Sequence, residues 1–309
     1  MGKCRSEVSL IGKTALITGG NSGLGFETAV DFATRGCRVI IADISDSEEK
    51  TREIIARTNN PYVTWMQVDL SDFQSVRTFA TRFIENESRL DLLINNAGTS
   101  CYTNEYTASG ALKLMAINHY GHFLLTHLLI DLLRKTENSR VVFTSSIIAF
   151  INCLKSGNIN DPPKVWAGML FSYLQYGNTK LCNLITSNML SEMGIFSNAI
   201  HPGCVKTNIH QVTFKFLKEM SVLHILSVFF GRICIFMFGK TAHEGAQNIL
   251  YAALETKHSG QFISDCKPYR QPRSARDDDL CRDVWEESER LAGLEPNERI
   301  LPINKLNIP

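Results

Sequence analysis

Short apolar runs alternate with amphipathic segments along most of the chain. Six runs have the length and composition of buried β-strands: TALIT at 14–18, RVIIAD at 38–43, VTWMQVD at 63–69, LDLLINN at 90–96, RVVFTSS at 140–146 and FSNAI at 196–200. Each of the first five is followed by a stretch whose apolar spacing predicts a helix. Such alternation indicates βαβ units around a parallel sheet that is buried on both faces. The pattern predicts an α/β fold with a doubly wound, mostly parallel sheet of about seven strands.

The pattern also predicts a single domain over residues 1–309, with residues 1–10 as an N-terminal tail, because no linker or internal repeat divides the chain. Two apolar, irregular segments interrupt the alternation, at 147–175 and 208–240. Ligands bind beyond the carboxyl ends of the strands in such folds, so insertions of this kind usually form the substrate site. Segment 208–240 is predicted to be either a substrate lid or a membrane-contact segment.

Composition narrows the function classes. The chain has 309 residues, 44% of them hydrophobic and 20% charged, which supports a sizeable core and excludes a disordered chain. With 32 Lys and Arg against 31 Asp and Glu, the net charge is +1, and no nucleic-acid partner is expected. The nine cysteines show no C-x-x-C spacing and no secretory signal is evident, so we expect a reducing, cytoplasmic location without a disulfide framework.

A glycine-rich loop follows the first predicted strand. TGGNSGLG at 18–25 leads directly into a helical pattern, and its glycines leave room for a pyrophosphate on the N–H groups at the helix start. The candidate contacts are Gly19, Asn21, Ser22, Gly23, Leu24 and Gly25. The spacing G-x-x-x-G-x-G differs from the G-x-G-x-x-G fingerprint, and the alternative is a turn that binds no ligand.

An acidic residue ends the second predicted strand. Asp43 stands where a carboxylate accepts hydrogen bonds from a ribose 2′-OH, and a 2′-phosphate there would be repelled. Positions 42 and 44 carry no Arg or Lys, so NAD is favoured over NADP. Lys13 and Arg38 are near enough in sequence to weaken this preference. The alternative is that Asp43 only caps the helix predicted around 47–57.

Tyr176 and Lys180 have the spacing of a proton-transfer pair. Residues four apart share one helix face, so the Lys180 ammonium would lie near the Tyr176 phenol. A free phenol has a pKa of about 10, and a nearby ammonium together with an oxidised nicotinamide ring would lower it. Tyr176 would then act as general base toward an alcohol or as general acid toward a carbonyl.

The loop and this pair belong to a longer series of motifs. In chain order these are TGGNSGLG, NNAG at 95–98, Ser145-Ser146 at a strand end and YGNTK at 176–180. In these residues the chain resembles the short-chain dehydrogenase/reductase family over about residues 10–265, which has the motifs TGxxxGxG, NNAG, a Ser after the fifth strand and YxxxK. The resemblance implies a Rossmann-type domain and an NAD- or NADP-dependent oxidoreductase.

The resemblance also implies a catalytic tetrad of Asn118, Ser146, Tyr176 and Lys180. Ser146 would hydrogen-bond the substrate oxygen, and the family pattern favours it over Ser145. Lys180 would also hold the nicotinamide ribose, and Asn118 would hold a water that links Lys180 to solvent. Without the resemblance, Asn118 is equally well read as a helix residue satisfied by a backbone carbonyl.

The remaining predicted cofactor contacts follow from the resemblance. They are Asp69 and Leu70 near the adenine, Asn95, Ala97 and Gly98 in NNAG, and Pro202, Gly203, Val205 and Thr207 in the loop HPGCVKT. Asp69 is alternatively a cap for a helix that starts near Ser71. His119 and His122 have no carboxylate or third His beside them, so no metal site is predicted.

Three segments resemble the retinol-dehydrogenase-like branch of the family. They are the insertion at 147–175, SGQFISDCK at 259–267 and LCRDVWEESERLAGL at 280–294. This implies a lipophilic alcohol or carbonyl of retinoid, isoprenoid or steroid type. Asp43 followed by Ile44 favours oxidation of the alcohol with NAD. The alternatives are an NADPH-dependent carbonyl reductase on the same tetrad and a non-catalytic nucleotide-binding scaffold.

Two further expectations concern partners. Segment 212–238 is hypothesised to enter a membrane surface, such as an internal membrane or a lipid droplet, from the cytosolic side. The start of the chain matches the acylation pattern M-G-x-x-x-[ST], with Cys4 as a second lipid site. The resemblance further implies a homodimer or homotetramer that pairs through the helices carrying Asn118 and Tyr176.

Overall fold

The computed structural model describes residues 2–100, 105–163, 169–206 and 239–300. All six predicted strands are present, and two more follow them. The strands are β1 (Thr14–Thr18), β2 (Arg38–Asp43), β3 (Val63–Gln67), β4 (Leu92–Asn95), β5 (Arg140–Thr144), β6 (Ser197–His201), β7 (Phe262–Ser264) and β8 (Lys267–Tyr269). They form one sheet in the order β3-β2-β1-β4-β5-β6-β7-β8. The predicted doubly wound α/β fold in one domain is confirmed.

The eighth strand corrects the expected strand number. Strands β1 to β7 pair in parallel, whereas β8 pairs antiparallel with β7. The turn between β7 and β8 consists of Asp265 and Cys266, whose φ angles are 55° and 54°. Two-residue turns with positive φ at both positions usually contain Asn and Gly. The sequence Asp-Cys therefore gave no signal for this hairpin.

Helices cover both faces of the sheet. They are α1 (Gly23–Thr34), α2 (Glu48–Thr58), α3 (Phe73–Asn86), α4 (Lys113–Met115), α5 (Gly121–Leu128), α6 (Ile130–Lys135), α7 (Met169–Glu192), α8 (Ala242–Leu254) and α9 (Asp278–Leu291), with a π-helical turn at Ala116–Tyr120 between α4 and α5. One buried cluster joins the sheet to α3, α5, α7 and α9, and a second joins it to α1 and α8. In β1, Leu16 faces the first cluster while Ala15 and Ile17 face the second.

The strand order places the candidate residues at one edge of the sheet. β1 pairs with β2 on one side and with β4 on the other, which makes the end of β1 the point where the order of the strands reverses. Thr18, Asp43, Asn95, Thr144 and His201 end β1, β2, β4, β5 and β6 in turn. Because these strands are parallel, their carboxyl ends share one edge, where ligands bind in folds of this kind.

The N-terminal tail lies against the domain. The N–H of Gly2 donates to Asp265 Oδ1 at 2.8 Å, and the N–H of Cys4 donates to Gln247 Oε1 at 3.1 Å. The Cys4 side chain is buried, and burial raises the pKa of its thiol to about 11. A buried, protonated thiol is a poor nucleophile, so this fold does not present Cys4 as a lipid site.

Helix α9 packs on the helices through which the family resemblance implies pairing. The Trp285 ring meets Phe123 of α5 edge-on, with 5.0 Å between ring centroids. Ser288 Oγ lies 2.8 Å from Nε2 of His119. Part of the predicted pairing surface is therefore covered by the chain's own α9. Segment 212–238 lies outside the described residues, and none of the described helices has both the length and the apolar run needed to cross a membrane.

Candidate active site

The glycines of the loop after β1 allow close backbone approach. Gly19 and Gly23 have φ angles of 65° and 56°, a region that side chains disfavour. A Cβ on Gly19 would lie 2.9 Å from Ala97 Cα, and a Cβ on Gly25 would lie 2.2 Å from the carbonyl oxygen of Gly19. The three glycines are thus needed to bring the loop, the NNAG segment and the start of α1 together.

The start of α1 fits an anionic group. The N-cap residue, Ser22, makes no capping hydrogen bond through its side chain, and the first turn contains no acidic residue. The N–H groups of Gly23, Leu24 and Gly25 come first in this helix, where amides lack partners within the helix and carry partial positive charge. This geometry suits the diphosphate of a dinucleotide.

Thr18 ties the loop to the strand that ends in NNAG. Its Oγ1 accepts hydrogen bonds from the N–H of Asn96 at 2.9 Å and of Ala97 at 3.0 Å. The Asn96 amide in turn donates to the Thr18 carbonyl at 3.0 Å. Asn96 was not among the predicted site residues, although it lies in the motif. The predicted contact Asn95 instead directs its amide to Thr126 Oγ1 at 3.0 Å, inside the fold.

Asp43 is placed as an acceptor at the carboxyl edge of the sheet. Its carboxylate accepts from the N–H of Asn21 at 3.4 Å and from Ser45 Oγ at 3.4 Å. Burial raises the pKa of Asp43, and these hydrogen bonds oppose the shift. Helix α2 begins at Glu48 with Ser47 as its N-cap, so the alternative reading of Asp43 as a helix cap is wrong.

The two cations that weakened the cofactor assignment lie at the opposite ends of their strands. Lys13 pairs with Asp91 at 3.1 Å, and Arg38 pairs with Glu87. Arg38 begins the strand that Asp43 ends, so the two are separated by about 16 Å at 3.3 Å per residue. Neither cation is in reach of a phosphate beside Asp43.

Asp69 follows β3 and forms a local turn. Its Oδ1 accepts from the N–H of Ser71 at 2.8 Å and from Ser71 Oγ at 2.7 Å. Helix α3 begins at Phe73, and its cap is Asp72, so the alternative reading of Asp69 as the cap is wrong. Leu70 is buried, with its carbonyl against Gly121, where a Cβ would lie 2.4 Å away.

Asn118 sits in the π-helical turn and bridges three segments. Its Oδ1 accepts from the N–H of Thr99 at 2.8 Å, and its Nδ2 donates to the Thr99 carbonyl at 2.9 Å and to Thr179 Oγ1 at 3.2 Å. The side chain therefore joins the segment after NNAG to α7. π-helical turns occur frequently at functional sites.

Lys180 is buried beneath Tyr176. Its Nζ donates to the Thr144 carbonyl at 3.0 Å and lies 5.4 Å from the centroid of the Tyr176 ring. Burial lowers the pKa of Lys180 to about 8. A Cβ on Gly98 would lie 3.4 Å from both Lys180 Nζ and Asn118 Oδ1, so these three residues meet at one point.

The two adjacent serines have different surroundings. Ser145 is buried, and its hydroxyl donates to the Lys180 carbonyl at 2.6 Å. Ser146 is partly exposed and caps the 3₁₀ turn Ile147–Phe150, with its Oγ accepting from the N–H of Ile148 at 3.2 Å. Ser146 is thus the more exposed of the two, and its role as the residue that faces a substrate stays a prediction.

Gly177 lets the turn after Ser146 pack directly on α7. A Cβ at this position would lie 1.9 Å from the carbonyl oxygen of Ile151 and 2.7 Å from that of Ile148. We expect Gly177→Ala to destabilise the fold by about 1–3 kcal/mol and to reduce turnover, because the turn must move away from Tyr176. Urea unfolding and initial rates measure both effects. A variant with wild-type stability and rate would contradict the close packing.

The buried histidines near Asn118 serve packing and hydrogen bonding. Burial lowers the pKa of His119 to about 4 and that of His122 to about 3, so both are neutral at pH 7. Nε2 of His122 lies 2.8 Å from Thr18 Oγ1. Within the described ranges no group of three or more potential ligands could hold a metal ion.

The loop after β6 approaches the same edge of the sheet. Pro202 is buried, and Gly203 has φ 94°, with a position for a Cβ that would lie 2.9 Å from Lys240 Cδ. Val205 forms an isolated bridge with Lys240. The fourth predicted contact in this loop, Thr207, lies outside the described residues.

Comparisons with known proteins cover nearly the whole chain. A family model described as short chain dehydrogenase matches residues 13–156. The chain is 36% identical over 302 residues to retinol dehydrogenase 11 of Mus musculus, covering 95% of this chain and 90% of that protein. It is 35% identical over 302 residues to retinol dehydrogenase 12 of Homo sapiens, with coverage of 95% and 90%. A crystal structure of an uncharacterized protein from Mycobacterium Paratuberculosis matches with a TM-score of 0.70 and 27% identity, over 96% of this chain and 99% of that one.

Proposed function

The chain belongs to the short-chain dehydrogenase family, in the branch of the retinol dehydrogenases, and on this premise we propose that it oxidises a lipophilic alcohol with NAD. The family makes it an oxidoreductase that acts on CH–OH groups with NAD or NADP. The preference for NAD, the direction and the roles of individual residues are parts of the proposal. The observation that carries it is the buried Lys180 ammonium beneath the Tyr176 ring.

Each member of the predicted tetrad has a role in this proposal. The substrate oxygen lies between the Ser146 and Tyr176 hydroxyls, and Tyr176 removes the hydroxyl proton as general base. Lys180 supports that step because an ammonium close to a phenol favours the phenolate. Asn118 holds the segment after NNAG against α7, through its bonds to Thr99 and Thr179. A bound nicotinamide would supply the acceptor for the hydride of the alcohol carbon.

In this proposal the nucleotide is held by the glycine-rich loop, by Asp43 and by the other predicted contacts. The glycine-rich loop and the start of α1 take the diphosphate, Asp43 accepts from the ribose hydroxyls, and Asp69 takes the adenine amino group. The predicted contacts Pro202, Gly203 and Val205 take the nicotinamide end, and the NNAG segment packs on the glycine-rich loop through Ala97.

An apolar substrate is supported by two exposed side chains near the tetrad as well as by the relatives. Ile151, in the turn after Ser146, and Tyr173, one turn before Tyr176, have exposed fractions of 44% each. Large apolar side chains exposed next to a site favour an apolar ligand. The named relatives are retinol dehydrogenases, which adds support for a long apolar alcohol.

Purified protein with retinol, farnesol, a hydroxysteroid and a short alcohol, each with NAD and with NADP, tests the proposal. We expect turnover of long apolar alcohols with NAD. Faster turnover with NADP would favour the alternative of a carbonyl reductase. Tight nucleotide binding without turnover of any substrate would favour the scaffold.

Charge at Asp43 is expected to set the cofactor preference. Asp43→Asn keeps the size of the side chain but removes the charge that repels a 2′-phosphate, so the ratio of kcat/KM for NAD to that for NADP should fall about tenfold or more. The matched control is Asp46→Asn, an exposed carboxylate three residues further on. An unchanged ratio in Asp43→Asn would show that another residue selects the nucleotide.

A further inference from the structure

Asn183 lies one turn after Lys180 on α7, outside every motif of the sequence analysis. Its side chain is buried and touches two of the segments that build the site. The amide Nδ2 donates to the Asn118 carbonyl at 3.0 Å and lies 3.4 Å from the Thr144 carbonyl. The Thr144 carbonyl is the same acceptor that holds Lys180 Nζ at 3.0 Å.

We propose that Asn183 is a positioning residue that fixes the Asn118 backbone and the Thr144 carbonyl at the distances that Lys180 and Tyr176 require. The inference rests on the proposed function for its catalytic consequence. Its structural part, that Asn183 sets the surroundings of the buried Lys180 ammonium, is independent of the reaction. Asn183 itself touches neither substrate nor nucleotide in this assignment.

The orientation of the Asn183 amide is fixed from its other side. Because Nδ2 faces two carbonyl oxygens, Oδ1 must be the atom that faces Nδ1 of His119, 3.1 Å away. Nε2 of His119 lies 2.8 Å from Ser288 Oγ on α9. A chain of buried polar contacts therefore runs from α9 through His119 and Asn183 to the catalytic residues.

The two carbonyls that Asn183 contacts are each shared with a second donor. The Asn118 carbonyl also faces Nδ1 of His122 at 3.3 Å, and the Thr144 carbonyl also accepts from Lys180. A carbonyl oxygen has two lone pairs, so both acceptors are filled by side chains that come from α5 and α7. Loss of the Asn183 donor would remove a hydrogen bond from a buried carbonyl oxygen, and it would allow Thr144 to move relative to Asn118.

Asn183→Asp is the sharpest test because it keeps the shape of the side chain, removes both donors and adds a negative charge near Lys180. The titratable groups in the buried cluster are Lys180, Tyr176 and the two neutral histidines, His119 and His122. An added negative charge makes every deprotonation of the Tyr176–Lys180 pair harder. We expect kcat to fall at least tenfold and the pH of half-maximal oxidation to rise by about one unit.

Two further variants control for simple loss of stability. Asn183→Leu removes the donors without adding charge, and we expect kcat to fall at least tenfold here also. Ser187→Ala removes a buried hydrogen bond to Ser197, 2.9 Å long, one turn further along the same helix and away from the site. It should keep the wild-type kcat and pH midpoint. Asn183 variants with the same kcat and the same pH midpoint as Ser187→Ala would overturn the proposal.

A measurement on the nucleotide-free protein separates this inference from the proposed function. The charge of the buried Lys180 ammonium is unfavourable in the folded protein, so this group alone adds stability as it loses its proton between pH 8 and pH 10. The buried cysteines act in the opposite sense in every variant, because burial raises the pKa of their thiols, so the variants are compared with one another at each pH. In Asn183→Asp the ammonium is stabilised, so the urea midpoint of this variant relative to that of Ser187→Ala should fall between pH 8 and pH 10. A relative midpoint that does not change with pH would overturn the inference even if the wild type turns over alcohols. A relative midpoint that falls in a protein without turnover would support it while the proposed function fails.

Discussion

Tyr176→Phe is expected to reduce turnover roughly a thousandfold, within the range that general acid–base catalysis supplies. The substitution removes a single oxygen atom, and with it the group that takes the substrate proton. Tyr176 is only partly buried and sits above Lys180, so the ring can stay in place without its hydroxyl. Affinity for NADH, measured by fluorescence titration, should stay within about twofold of wild type, since the proton-transfer group contributes little to ground-state binding.

Tyr173→Phe is the matched control for this prediction. Tyr173 lies one turn earlier on α7, its side chain is exposed, and it carries the same hydroxyl. This variant should retain kcat within about threefold of wild type, because it removes no group from proton transfer. If Tyr176→Phe kept more than a tenth of the wild-type kcat, another residue would have to be the general base.

Lys180→Met is expected to abolish measurable turnover and, at neutral pH, to leave the nucleotide-free protein at least as stable as wild type. Met has a similar length and no charge, so it removes the ammonium that favours the Tyr176 phenolate. Burial lowers the pKa of Lys180 from 10.5 to about 8, which corresponds to about 3 kcal/mol of unfavourable free energy for the charged form in the folded state. Loss of the hydrogen bond to Thr144 offsets about 1–3 kcal/mol of the gain.

The stability of Lys180→Met relative to wild type depends on pH. Between pH 8 and pH 10.5 the unfolded chain holds a proton on Lys180 that the folded chain has lost, so the contribution of Lys180 to wild-type stability rises with pH across this window. The advantage of Lys180→Met should be largest below pH 8 and disappear toward pH 10.5. Urea unfolding of both proteins at pH 7 and pH 9.5 measures it. A variant that is much less stable at pH 7 would contradict a buried charge at this position.

The sheet and the loop could be read from the sequence because their signals are local. The apolar runs at 14–18 and 38–43 coincide with β1 and β2 as the structure has them. A buried parallel strand needs apolar side chains on both faces, and this leaves an unbroken run in the sequence. Strand β8 left no such run, since all three of its residues are exposed.

The contacts that support the site could not be read in this way. Asn183 and His119 are 64 positions apart in sequence, and their hydrogen bond depends on how α5, α7 and α9 pack. The same holds for Thr18 and Asn96, which meet only because β1 and β4 are neighbours in the sheet. Sequence patterns identify which side chains can do chemistry, whereas the partners that orient them come from tertiary structure.

Packing also decided between alternatives that the sequence left open. The helix-cap reading of Asp43 was plausible because a helix follows within a few residues, and only the start of α2 at Glu48 excludes it. Lys13 and Arg38 were near Asp43 along the chain but are held at the far ends of their strands by Asp91 and Glu87. Thr207 and segment 212–238 stay predictions, because both lie outside the described residues.

Transfer of deuterium from a labelled alcohol to the nucleotide tests the central claim most directly. Wild-type protein would be incubated with NAD and retinol that carries two deuterium atoms on its hydroxyl-bearing carbon, and the reduced nucleotide would be analysed by mass spectrometry. The account predicts that each reduced nucleotide gains one deuterium and that Tyr176→Phe forms almost none. Bound NAD that stays unlabelled with retinol, and equally with labelled farnesol and a labelled hydroxysteroid, would contradict it.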